Sequence, residues 1–132
     1  MAGKRSDLLA QFEAFEVDPA EFGHQQHVQV AYEMLNRYSF LDACAKYANA
    51  INTIATNAGA SDKFNVTITL VFLSLIAERV SASKESSFEA FLAQNDDLLS
   101  KDALSKWYSP EQLNSDFARR HFLLPTRVLS HR

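Results

Sequence analysis

Residues 61–83 read SDKFNVTITLVFLSLIAERVSAS, the longest apolar run of the chain and the segment on which the fold turns. Its β-branched centre, Val66, Thr67, Ile68, Thr69 and Val71, suits a buried strand by residue preference, and periodicity does not separate buried strands from buried helices. Length and punctuation decide for a helix. Gly59 closes the preceding segment, and Ser61 or Asp62 can accept the amide hydrogens of a first turn. About twenty residues then pass without Gly or Pro, whereas strands run to about five or six.

The polar residues of this stretch are sorted. Lys63, Thr67, Ser74, Glu78 and Ser81 recur at helical spacing and form one expected solvent-facing strip. Phe64, Ile68, Val71, Phe72, Leu75, Ile76 and Val80 cover the remaining faces, as in a helix in the middle of a bundle. Asn65 and Thr69 break the sorting: they lie in line with Phe72 and Ile76, which directs an amide and a hydroxyl toward the interior. The apolar part spans about fourteen residues, short of the roughly twenty a bilayer needs, so no membrane span is expected.

The whole chain has 132 residues, 47% of them hydrophobic, with ten Phe, which suffices for one sizeable core. Three Gly and three Pro are too few for the turns of a sandwich or barrel. The expected fold is all-α, a single domain over residues 1–132. It has three long helices (24–38, 40–57 and 62–83), an N-terminal helix and a cap of short C-terminal helices. Net charge is −3 and the basic residues are scattered, which argues against a nucleic-acid partner. One cysteine, Cys44, and no charged-then-apolar leader point to a cytoplasmic protein.

In chain order, residues 6–16 form a short amphipathic helix under a Ser6 cap, docked by Phe12 and Phe15 and ended at Val17-Asp18-Pro19. The segment 19–38 buries Phe22, Val28, Ala31, Tyr32 and Leu35, with Gly23 separating one turn from the main helix. Residues 40–57, capped by Ser39, bury Leu41, Cys44, Tyr47, Ala48, Ile51, Ile54 and Ala55 and end at a left-handed Gly59. Cys44 reads as a small buried hydrophobe. Short helical pieces follow residue 83, among them 88–94, 103–108 and 116–122. They are held by Phe88, Phe91, Leu98, Leu99, Trp107, Tyr108, Phe117 and Phe122.

The sharpest chemical feature is His24-Gln25-Gln26-His27, because residues three apart on a helix project side by side and two such imidazoles can share a metal ion. A working metal site needs further ligands, and no second HxxH, ExxH or Cys pair supplies them. Asn65, Thr69, Asp62, Glu33 and His121 are the available partners. Two readings stand. In one, His24 and His27 are ligands for a divalent metal or acid–base groups for a small molecule that Asn65 orients, with Thr69 and Lys63 as binding residues. In the other, they are structural histidines of a non-catalytic interaction or accessory protein. There is no Gly-rich phosphate loop and no GxSxG.

The order FGHQQHVQVAYEML, SDKFNVTITLVFL, FLAQNDDLLSKDAL, WYS and ARRHFLLP resembles a family of small bacterial helical proteins, over residues 22–125. In that family the HxxH segment pairs with a helix start reading roughly Lys-aromatic-His-Glu-Thr. The resemblance implies a polar site between the two helices. Here Asn65 and Val66 stand where the His and Glu would be, while Lys63, Phe64 and Thr67 are kept, which would cripple a four-ligand metal site. In an up-down-up bundle the helices carrying His24 and Asn65 run parallel and start together. His27 and Asn65 are therefore expected within one side chain or one water of each other, with His24 nearby, in a recess lined by Phe64 and Thr69.

Overall fold

The computed structural model describes residues 5–125, and every regular element among them is helical. The α-helices are α1 (Asp7–Glu13), α2 (His24–Arg37), α3 (Phe40–Asn57), α4 (Val66–Ala82), α5 (Phe88–Gln94), α6 (Pro110–Leu113) and α7 (Asp116–Arg120). Single 3-10 turns precede α2 and α4, at Pro19–Glu21 and Ser61–Lys63, and another covers Asp96–Leu99.

Residues 61–83 are helical but begin later than expected. Phe64 and Asn65 are extended, and Asn65 is the N-cap, its Oδ1 accepting from the Ile68 amide at 2.9 Å. The side-chain oxygen of Asn65 thus takes the capping role expected of Ser61 or Asp62, which fall in the preceding 3-10 turn. The polar strip also shifts. Thr67, expected to face solvent, is fully buried, and Ile68 is partly exposed in its place. Thr67 is buried because it is satisfied: its Oγ1 donates to the His121 carbonyl at 2.7 Å and accepts from the Leu123 amide at 2.9 Å. A β-branched hydroxyl on α4 therefore ties down the segment that follows α7.

α2 lies against both α3 and α4, and α7 lies against α4. The core between them holds Leu9, Phe12, Val28, Met34, Leu73, Ile76 and Phe91, all out of solvent. Burying each such side chain is worth roughly 1.5–3 kcal/mol before entropy. Phe12 stacks on Phe22 and packs on Tyr47, with centroids 5.4 Å apart in both pairs. α3 turns a slightly different face inward from the expected one. Ala43 and Ala50 are buried, so their small side chains allow the close approach, whereas Leu41 is 79% exposed. Residues 103–108, expected as a helix, are a run of hydrogen-bonded turns, such as the Ser105 amide to the Asp102 carbonyl.

α1 and α3 end with the same motif made from different residues. At α3, Gly59 has φ +74°, and the Gly59 and Ala60 amides reach back to the Thr56 and Ala55 carbonyls. At α1, Phe15 takes the left-handed position with φ +62°, and the Phe15 and Glu16 amides reach the Phe12 and Gln11 carbonyls. That geometry swings Phe15 away from the core, so it does not dock α1 as expected.

Candidate functional site

The starts of α2 and α4 meet at a cavity of about 320 Å³. His24, His27, Lys63, Asn65 and Thr69 all line it, with Phe64, Phe72 and Tyr47 among the walls. The residues singled out from the sequence are thus brought to one place, though not into one hydrogen-bonded group.

His24 opens α2, and its Nε2 lies 2.8 Å from the Leu98 carbonyl in the 3-10 turn after α5. A carbonyl only accepts, so Nε2 carries the proton and the bond fixes the tautomer. The ring also packs against Phe72, centroids 5.3 Å apart. His27 is half-buried one turn on, its ring 4.4 Å from that of Phe22 and its Nδ1 3.0 Å from the Tyr47 hydroxyl. Burial, with His24 as a lesser like charge, lowers its pKa to about 4. His27 is therefore a neutral imidazole at physiological pH.

Tyr47, 4% exposed, is pushed upward by the same desolvation, so its O–H stays intact. Among the described residues that hydroxyl has His27 as its one partner. Donation from Tyr47 to Nδ1 uses the buried proton and leaves the proton of His27 on Nε2, as a hydrogen-bond donor.

Asn65 does not meet His27 through its side chain. Oδ1 is committed to the cap, and Nδ2 donates to the Leu113 carbonyl at 2.7 Å. Thr69 donates to the Asn65 carbonyl at 2.7 Å. Both shape the wall, and the Asn65 bond to Leu113 holds α6 against the start of α4. The other suggested partners lie elsewhere. The Glu33 carboxylate accepts from the Ser6 hydroxyl at 2.7 Å, and His121 packs its ring on Phe117. Neither of these nor Asp62 lines the cavity. Among the described residues no group of three or more His, Cys, Asp and Glu gathers in metal-binding geometry.

Sequence reasoning missed Tyr47 as a site residue and missed the wall supplied by Ser100, Lys101, Ala103, Leu104 and Leu113. Tyr47 carried a signal, since a tyrosine on a buried ridge must find a partner for its hydroxyl. The run after α5 carried none, because irregular turns have no period.

The chain matches no protein-family model, no curated protein sequence and no solved structure.

Proposed function

We propose that this chain is a cytoplasmic small-molecule-binding protein whose site is the cavity at the joined starts of α2 and α4. In this reading α2, α3 and α4 form a three-helix bundle that frames the site, and the pieces after α4 close its end. The observation that carries it is the His27–Tyr47 pair. The most desolvated imidazole of the described chain lines a cavity large enough for a ligand, is neutral, and has Nε2 without a protein partner among the described residues. His24 lines the same cavity with its Nε2 held by the Leu98 carbonyl, and Asn65, Thr69 and Phe72 give the wall its shape.

A divalent metal is the second reading, favoured by the His24 ring, whose Nε2–H on a backbone carbonyl leaves Nδ1 oriented as in many metal sites. It would require the other tautomer of His27, with Nδ1–H donating to the Tyr47 hydroxyl and Nε2 free, and the two nitrogens would leave the ion to draw its other ligands from water or substrate.

The test is a fragment screen by ligand-observed NMR, run beside Ala103→Phe, which fills the cavity, and beside metal analysis of the purified chain. The proposal expects hits that disappear in Ala103→Phe. Bound metal lost in both His24→Ala and His27→Ala would favour the second reading. No hits and no metal would leave the histidines structural, in an interaction or accessory protein.

A further inference from the structure

The charge around the cavity is one-sided. Two of its lining residues are cations, Lys63 and Lys101, and none is Asp or Glu, on a chain with 16 acidic against 13 basic residues. The imbalance is therefore local and runs against the composition. Neither ammonium has an ion-pair or hydrogen-bond partner among the described residues, whereas Arg79 is clamped on Asp97 at 2.8 Å and Arg5 and Arg119 each hold a carboxylate. α2 and α4 both begin here, which adds two positive helix ends to the same space. The walls below are apolar and aromatic: Phe64, Ile68, Phe72 and Leu104. A cationic ligand would meet two unpaired ammonium groups and no counter-charge.

We propose that the ligand is a small organic anion, a carboxylate with an aromatic or short aliphatic body. The body sits against Phe64, Ile68 and Phe72, and the charged end lies toward Lys63 and Lys101. This deepens the small-molecule reading and rests on it. His27 adds a neutral donor at Nε2 that can bond a ligand oxygen without bringing further charge. The cavity size suits a ligand of this kind, near the low end of the range that small-molecule sites occupy.

The test uses phenylacetate and hexanoate as probes, each beside its uncharged amide, titrated into the full chain at low salt and followed by NMR or calorimetry. The proposal expects each carboxylate to bind at least about tenfold more tightly than its amide, with the preference shrinking as salt rises. The double variant Lys63→Gln/Lys101→Gln, both sites exposed, should abolish that preference. Lys84→Gln, away from the cavity, should leave everything unchanged. Equal binding of acid and amide, or tighter binding of the amide, overturns the ligand class while the small-molecule reading stands. No binding of any of the four probes overturns both.

Discussion

Two recesses flank α4, and they share its surface and that of α3 but differ in what their walls leave unpaired. The larger, about 470 Å³, lies between the first turns of α3 and the middle of α4, with Phe40, Leu41, Val71, Leu75, Trp107 and Phe122 in its walls. Its one acidic side chain is Glu78, and the Cys44 thiol at its side is pushed up by burial. The smaller, about 320 Å³, lies at the start of α4 beside the middle of α3 and holds two imidazoles, a buried phenol and two unpaired ammonium groups. Volume alone would choose the first. Chemistry chooses the second, because polar groups held without partners in a concave site are what a ligand can complete.

The comparison breaks most readily at His27. Its folded pKa of about 4 lies below the ordinary 6.5, so the unfolded chain binds the extra proton first as pH falls. Stability from keeping this ring neutral is fully present above pH 6.5. It drains away as pH falls toward 4, by about 3 kcal/mol in all, and levels off below. Urea midpoints measured across that window should show the loss, and His27→Gln should flatten it. A wild-type profile without this slope would mean that the ring is not desolvated, and the two recesses would then differ less than described.

Thr67→Val acts on the other recess. It removes the hydroxyl that holds the His121 carbonyl and the Leu123 amide, between which Phe122 forms part of the apolar wall. Leaving both backbone groups unpaired should cost about 2 kcal/mol in denaturant unfolding. Probe binding at the histidine cavity should be unchanged. A loss of binding there would show that the two recesses are mechanically one.

The smallest effect is a gain, and it lies outside both. Phe15→Gly relieves a left-handed backbone at the end of α1, where Phe15 is 45% exposed and so gives up little packing. Stability should rise by up to about 1 kcal/mol, with neither recess affected. A fall would mean that the exposed ring contributes more than its strained backbone costs.

The all-helical character was legible because length, scarce Gly and Pro, and serine caps at Ser6 and Ser39 all agreed. What escaped was decided by partners distant in sequence. Thr67 and Asn65 both belong to one apolar stretch, and its periodicity gave each a face. Yet Thr67 is buried by two backbone groups more than fifty residues on, and Asn65 is turned to its cap by an extended Phe64–Asn65 link. Phe15 was misplaced for a local reason: a left-handed residue redirects its side chain, and helical spacing does not register that. For the site, the HxxH spacing pointed to His24 and His27, and parallel helix starts pointed to the surroundings of Asn65. The lysine and backbone carbonyls from residues 98–113 come from turns without a pattern and could be found only in three dimensions.

The most direct test of the account is to map, by backbone and imidazole chemical shifts, where a panel of small fragments binds on the full chain. The account predicts that shifts concentrate on His24, His27, Asn65, Thr69 and Lys101, and that they vanish in Ala103→Phe. Shifts concentrated instead on Phe40, Leu41, Val71 and Trp107, with His24 and His27 unmoved, would contradict it.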